Sequence, residues 1–533
     1  MPKDGSDPSY SKTGALPGTH FVNPIGVGQD PWVIRDTTEK RYLWCFSEGD
    51  RAITIHTSNN LTRLGERHLV WQAPDEGPFS RQVWAPELHL LDGRWHIYFA
   101  ASDGKNRNHL TYVLRSRNED PLGKYDLHGP LQTGDRTSEN LWAIDMTPLT
   151  HKGELYALWS GWDRPDSDRQ FLYIARMESP TKLATRRVRL CDNLDYPWER
   201  TEPPPKGRGL NEAPQVLTQG DRLFVSYSCG ASWLPSYKLG LLELVGDNPL
   251  DPASWQKRKG SIFQSTSKTF GVGHSCFVKS PDGSEWWQVF HAKRDRSPGW
   301  RRTIFAQPFK WSRDGRPLLG RPMAPTLPVP RPAGEKDFLL KLPYSSDLSS
   351  DHSFFGHPQF YRSEGQSLTL GSPPEHPVNE FRAGEKILLN GMLPNDFTAS
   401  VTMNFNRVRE GRGSGILFRS TAPSVGFDAA RGYFVGIKPS QNTVLLGKMD
   451  GSTWQELTRR AVTVDVSRDH QLSVSAEGSR FTVSLNGSLL FTHQDGTYKS
   501  GTLGLRVTDI PTCLLYTSPS PRDQRGSRMP SSA

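Results

Sequence analysis

Cysteine is scarce in this chain of 533 residues, with five in all. Cys45, Cys191, Cys229, Cys276 and Cys513 are odd in number, and no two stand in a C-x-x-C spacing, which argues against both a disulfide framework and a thiolate metal site. Cys45, Cys229 and Cys276 fall within apolar strand patterns and are expected as buried free thiols. There is no apolar run of about eighteen residues, so no membrane-spanning helix is expected. The opening MPKDGSDPSYSKTGALPG lacks the apolar core of a secretory signal. A formal charge of +9 is spread along the chain rather than gathered into a patch, which reads as a solvated surface and gives no motif for nucleic acid or a membrane as partner. Nothing in the residues specifies an oligomeric state.

What is present is a repeat. DPWVIRDTTEKRYLWCF, WAPELHLLDGRWHIYFA, DMTPLTHKGELYALWS, EAPQVLTQGDRLFVSYS and HSCFVKSPDGSEWWQVFH share one pattern of apolar run, turn and aromatic-rich second run. Each is followed by a third strand-like segment. Consecutive hairpins repeating every 55–65 residues or about that predict a five-bladed β-propeller with one sheet per blade. Turns are expected at Asp92-Gly93, Lys152-Gly153, Gly220-Asp221 and Asp282-Gly283. The innermost strands of a propeller line its axis, so the opening residues Asp30, Trp84, Asp145, Glu212 and His274 are expected to converge.

A chain this long needs more than one core. Residues 1–17 read as a flexible N-terminus and 18–315 as the propeller. Residues 316–336, with Pro317, Pro322, Pro325, Pro328, Pro330 and Pro332, read as an extended, stiff linker. Fifteen of the sixteen tryptophans lie at or before Trp311, so composition changes there. Residues 337–510 carry short strand-like runs and an Asn486-Gly487 turn, which predict a jelly-roll β-sandwich. The fold class is therefore all-β, a propeller followed by a sandwich. Residues 511–533 are Ser-, Pro- and Arg-rich, resemble translated sequencing-adapter sequence, and are expected to be a non-native tail.

Two carboxylates and a third beside them make a hydrolase inventory. Inverting cleavage of a glycosidic bond needs a base that activates water and a protonated acid about 6.5–9.5 Å away that serves the leaving oxygen. A neighbouring carboxylate raises the pKa of the acid by like-charge repulsion. An Asp at a strand start also commonly caps a turn, but three acids in phase across repeats make that reading insufficient.

The motifs GQDPWVIRD, VWAPELHLLDGRWHIYF, WAIDMTPL, LNEAPQVL and GVGHSCF, in this order over three hundred residues or so, resemble glycoside hydrolase family 43, whose members are five-bladed inverting enzymes. The resemblance implies Asp30 as general base, Glu212 as general acid and Asp145 as the residue that orients the acid and modulates its pKa. Ala213 departs from the family pattern, where Gly often follows the acid. His274 is implied beside the axis, facing a water-coordinated calcium or other cation, with a purely structural role as the competing reading; no cofactor is implied as required. His291 is expected to be structural or to line a subsite, and Arg302 to reach the site from the last blade. Trp84 is the first candidate for stacking on a sugar face, followed by Trp142, Trp162 and Trp233; Trp44, Trp95 and Trp159 are expected in the core between blades. The finer resemblance is to the α-L-arabinofuranosidase branch, implying an exo-acting enzyme on arabinan or arabinoxylan, that is, on plant cell-wall polysaccharide or oligosaccharide, and an extracellular setting. β-Xylosidase, endo-arabinanase and a galactan-directed exo-enzyme stay open as alternatives, as does a glycan-binding propeller without catalysis. GYFVGIKPSQNTVLLGKM and RFTVSLNGSLLFTH resemble concanavalin-like carbohydrate-binding modules such as family 66, with a structural brace as the other reading.

Overall fold

The computed structural model describes residues 19–517 except 168, 201–208, 294–295, 326, 336–351, 356–360, 365–366, 372–383, 390, 406–407, 409–411, 424–425 and 509–511. They form two compact units. The first comprises residues 23–335 less 328–330, and the second residues 352–517 with 19–22 and 328–330. Residues 1–17, expected as a flexible segment, lie outside the described residues, as does 518–533 of the expected tail.

The first unit is a ring of five antiparallel blades. Blade 1 runs Trp32–Asp36, Arg41–Glu48, Ala52–Ser58 and Glu66–Gln72, and blade 2 runs Arg81–Leu91, Arg94–Ser102, Leu110–Ser116 and Tyr125–His128. Blade 3 is built on Ala143–His151, Glu154–Trp162 and Gln170–Ser179, and blade 4 on Leu210–Gln219, Arg222–Gly230 and Lys238–Leu244. A single parallel pair, Gln170 with Leu210, joins their sheets. Blade 5 has Phe270–Lys279, Trp286–Lys293 and Arg302–Trp311, and takes its outer strand from the start of the chain: Gly26–Val27 pairs with Thr303 and Ile304. This closure removes an open sheet edge and brings the last blade beside Asp30. Hairpin turns follow the residue chemistry. Asp92-Gly93 and Lys152-Gly153 have positive φ at both positions, as a type I′ turn requires.

Adjacent blades pack through apolar faces. Leu43, Ile55, Trp95, Ile97 and Phe99 fill the space between blades 1 and 2, and Tyr98, Ala157, Trp159, Phe171 and Tyr173 that between blades 2 and 3. Trp44, Trp95 and Trp159 are buried. Cys45, Cys191, Cys229 and Cys276 are buried free thiols. The helices among the described residues are short 3-10 turns, and none is long and apolar enough to cross a membrane.

Parts of the proline-rich stretch pack against the blades. Pro317–Leu318 pairs with Lys310 and Trp311, and Leu319 enters the core of blades 4 and 5. Farther on, Glu335 accepts from the backbone and hydroxyl of Thr62, each at 2.8 Å. Proline keeps such a segment extended. Its remaining polar groups then find side chains of the blades: Gln307 donates to the carbonyls of Leu319 and Arg321, and Glu285 accepts from Ala333.

The second unit is a sandwich of two seven-stranded sheets. Alternating residues of Phe397–Phe405, Arg431–Lys438, His470–Glu477 and Arg480–Leu485 enclose a core that includes Val401, Met403, Tyr433, Val435, Val474 and Phe481. Asn486-Gly487 forms another turn with positive φ at both positions. Thr512–Thr517 pairs with Ser367–Leu370 on one side and Phe397–Phe405 on the other. The part of the expected tail from 512 to 517 is thus a strand inside the sheet; the CLLYT run has the apolar, β-prone composition for it.

Candidate active site

At or just before the inner strand of every blade one non-glycine residue at an equivalent place is in the left-handed region, and these five residues define the true register of the repeat. They are Asp30 (φ 50°), Ala85 (42°), Asp145 (54°), Ala213 (50°) and His274 (48°). In blades 2 to 5 a register shift in the inner hairpin accompanies them, the mark of a bulge that re-aims side chains. Left-handed geometry costs a non-glycine residue about 1 kcal/mol or more, and five repeats of it ring one axis. Trp84 and Glu212 therefore precede the repeated position by one residue, correcting the expectation that they open their blades in phase with Asp30. The geometry also explains Ala213: glycine would sit there without strain.

Asp30 lies at the centre of a polar cluster. Its Oδ1 is 3.2 Å from His274 Nδ1, from His291 Nδ1 and from an Arg302 terminal nitrogen. No described residue donates to Oδ2. The Asp30 backbone N–H also lies 3.2 Å from His291 Nδ1, and one ring nitrogen cannot both accept and donate. His291 Nε2 is buried without a partner, and an orphaned N–H is rarer than an orphaned lone pair. The tautomer with its proton on Nδ1, donating to the Asp30 carboxylate, satisfies this rule. Burial alone pushes the Asp30 carboxyl up, but His274, the His291 hydrogen bond and the Arg302 guanidinium outweigh it and hold the group well below the usual carboxylate range. Burial lowers His291 to about 3, with Arg302 adding to the effect, so its imidazole is neutral near pH 7.

Glu212 faces the opposite situation. Burial and the nearby Asp30 charge raise its carboxyl to about 7, against hydrogen bonds from Tyr237 and Ser232 and the charge of Arg302 that pull it down. The Tyr237 hydroxyl donates to Oε1 at 2.8 Å. Asp145 is raised well above its ordinary value, first by burial and then by Glu212 and Asp30. Asp145 and Glu212 interact as a pair of buried carboxyls, and the Asp30 charge pushes both up. Asp145 Oδ2 accepts from the Ala213 backbone N–H at 3.1 Å, which anchors the strained residue next to Glu212. Asn211, on its other side, donates to Glu199 Oε1 at 3.2 Å, and Tyr227 donates to the same oxygen at 2.6 Å. Glu87, two residues after the left-handed position of blade 2, meets Gln215, its counterpart in blade 4, through a buried hydrogen bond, and its other oxygen lies 3.0 Å from His89 Nε2.

The aromatic residues divide. Trp84 is part-buried and stacks on His109, with ring centroids 3.9 Å apart. Trp142 and Trp162 stack on each other at 4.8 Å, but are only 4% and 7% exposed. They back Trp84 in a cluster with Ala100 and Ile144, so the expected sugar-stacking role does not fit their burial. His291 is fully buried and serves Asp30 rather than an open subsite. Trp233 packs against Trp300, which is 63% exposed. Arg302 lies under the Trp300 ring at 4.8 Å and donates to the Ser232 carbonyl.

Two residues went unread in the sequence, Tyr237 and Trp300. Tyr237 had a signal, the Gly-Val-Gly before His274. A Cβ on Gly273 would fall 2.2 Å from the Tyr237 ring, so glycine there marks the space the ring occupies. Trp300 lies in a loop outside the repeat and had none. His274 Nδ1 is engaged by Asp30, which leaves Nε2 as the ring nitrogen that would face a water-coordinated cation; among the described residues no three His, Cys, Asp or Glu side chains gather as a direct ligand set.

The description "Glycosyl hydrolases family 43" matches residues 21–317, more than half of the chain. The chain belongs to that family. As a family 43 member it is a glycosidase. It is 29% identical over 283 residues to an extracellular exo-α-(1→5)-L-arabinofuranosidase of Streptomyces chartreusis, covering 51% of this chain and 83% of that protein. It is 31% identical to α-L-arabinofuranosidase 43 of Humicola insolens, covering 59% of this chain and 66% of the relative. Among solved structures, α-L-arabinofuranosidase from Lactobacillus brevis matches with a TM-score of 0.52 and 31% identity, covering 57% of this chain and 97% of that one. Residues 373–512 match a 3-keto-alpha-glucoside-1,2-lyase-like domain, a sandwich-type module like the one expected.

Proposed function

We propose that this family 43 glycosidase is an exo-acting α-L-arabinofuranosidase that releases terminal arabinose from arabinan or arabinoxylan by a single displacement with inversion. The observation that carries the mechanism is the split between two carboxyls of one site, Asp30 held ionised and Glu212 raised to about 7. The sugar is supported by the names of the relatives and by the 31% identity to the L. brevis enzyme.

In this reading the free Oδ2 of Asp30 takes a proton from water as that water attacks the anomeric carbon. Glu212 gives its proton to the departing glycosidic oxygen, and the carbon–oxygen bond breaks with the pair going to that oxygen. Such proton transfers contribute about 10²–10⁴-fold each. Arg302, His274 and His291 keep Asp30 ionised and oriented. Asp145 fixes the backbone beside the acid. Trp84 presents a ring to the apolar face of the sugar, and the Trp233–Trp300 pair offers a second aromatic surface close to Arg302.

The test is a panel of nitrophenyl glycosides together with linear and branched arabinan and arabinoxylan, read as released monosaccharide. Arabinose from the α-L-arabinofuranoside and from polymer ends is expected. Turnover of the β-xyloside or galactoside instead would reassign the sugar, release of oligosaccharides would make the enzyme endo-acting, and inertness on every substrate would leave a binding propeller.

A further inference from the structure

Two residues after each left-handed position stands a residue that pairs regularly with the second strand of its blade. The five are Trp32, Glu87, Thr147, Gln215 and Cys276. The last four are at most 4% exposed, and Glu87 is the one acid among the five. A buried carboxyl is costly to desolvate, and an apolar pair of like volume in place of a buried polar one is often as stable or more so. Stability alone therefore does not account for Glu87.

What the carboxyl does is join strands. Gln215 donates to its Oε1, and His89 Nε2 lies 3.0 Å from its Oε2. His89 is held in turn by the Trp32 ring, with centroids 4.4 Å apart. The Gln215 bond runs from blade 4 to blade 2, past the blade that lies between them in the ring. Its consequence falls on the acid. Pairing in blade 4 breaks after Glu212 and resumes at Gln215, so these residues bound a bulge. Between them stand Ala213, whose N–H is taken by Asp145, and Pro214, which has no N–H to offer. A bulge aims its side chains, and where they point depends on how its two ends are held. One end is held through Asn211 and Ala213, and the other through Gln215 by Glu87.

We infer that Glu87 is a positioning residue for the acid: through Gln215 it fixes the blade 4 bulge so that the Glu212 carboxyl meets the departing oxygen. The inference rests on the proposed assignment of Glu212 as general acid.

The test compares two variants of the full chain. Glu87→Met with Gln215→Met removes the bond and keeps the volume of both side chains; removing both partners of a buried hydrogen bond can leave stability nearly unchanged. Glu87→Gln with Gln215→Glu exchanges the partners, so that an amide at 87 donates to a carboxylate at 215 and still turns its oxygen to His89. Both are assayed beside Glu212→Gln on an arabino-oligosaccharide and on an aryl arabinofuranoside whose acidic phenol departs without a proton. A misplacement of about 1 Å costs about 100-fold, so the methionine variant should lose about 10–100-fold in kcat on the oligosaccharide, with KM within about twofold. On the aryl substrate, which does not need the acid, it should lose less than about threefold. The exchange variant should return to within about threefold of the parent on both. Equal losses on both substrates, as a general loosening of the propeller would give, overturn the inference, and so do unchanged values. An exchange variant that does not recover overturns it as well, because the two residues would then act apart. Should the methionine variant not fold, Gln215→Asn, which draws the donor back by one methylene, carries the same comparison, with the same selectivity expected at smaller size. Selectivity in Glu212→Gln alone sinks the inference and leaves the acid in place. Absence of selectivity in Glu212→Gln takes the acid role from Glu212, and the inference falls with it.

Discussion

Tyr237→Phe removes one oxygen and leaves the rest of the site in place. The ring fills the space left by Gly273 and stacks on His291 with centroids 5.6 Å apart, and phenylalanine keeps both contacts. What disappears is the donor 2.8 Å from Glu212 Oε1. A hydrogen bond to a charged group contributes about 1.5–3 kcal/mol, and one pKa unit corresponds to 1.36 kcal/mol or thereabouts. The hydroxyl stabilises the ionised carboxylate, so its loss raises the pKa of Glu212 by about one to two units above its value of about 7. The assay is the pH dependence of kcat/KM on an arabino-oligosaccharide, whose leaving group needs a proton. The basic limb should move to higher pH by one to two units or so, and the acidic limb, set by Asp30 and its untouched partners, should stay. A basic limb that stands still or moves down in a normally folded variant would refute the hydrogen-bond account of Glu212.

Glu212→Gln should cut turnover of natural glycosides by about 10²-fold or more and that of aryl glycosides with acidic leaving groups much less; equal losses would take the acid role from Glu212. The same variant should be more stable than the parent at pH 8. Burial raises the folded-state pKa of Glu212 from its ordinary 4.5 to about 7, so the stability it contributes is full below the unfolded value and is lost as pH rises through the folded one. The variant lacks that loss of about 3 kcal/mol, and thermal melts should show its advantage at pH 8 and none at pH 4. Gly273→Ala places a methyl 2.2 Å from the Tyr237 ring and should lower activity by at least tenfold with an altered basic limb; an unchanged pH profile would show that the ring position does not matter to the acid. Asp145→Asn should lower kcat while moving the basic limb by less than about half a unit, because Asp145 is itself pushed toward its protonated form. A downward shift of a unit or more would give the pKa-raising role to its charge.

Much of the site was legible because inner strands of a propeller meet at one axis, so acids recurring in register had to converge. The off-by-one phase of Trp84 and Glu212 arose from bulges that motif openings do not display. A signal existed in the dipeptides Asp30-Pro31, Ala85-Pro86 and Ala213-Pro214, which align the left-handed positions of three blades. Trp142 and Trp162 looked like sugar platforms because they flank a blade end, but stacking on each other and packing against Ile144 bury them. Tyr237 stands immediately before the third strand of blade 4, Lys238–Leu244, where the periodicity assigns only core. The proline-rich stretch was read from composition alone, which says that it is extended but not that Gln307, Glu285 and Thr62 bind its polar groups.

The account stands most directly on the anomeric form of the first product. Proton NMR of an α-L-arabinofuranoside hydrolysis, followed from the earliest seconds before mutarotation, distinguishes the two outcomes. Single displacement by water activated at Asp30 predicts β-L-arabinose first. Initial appearance of the α anomer would mean a covalent intermediate and would contradict the assignment of Asp30 as base and Glu212 as acid.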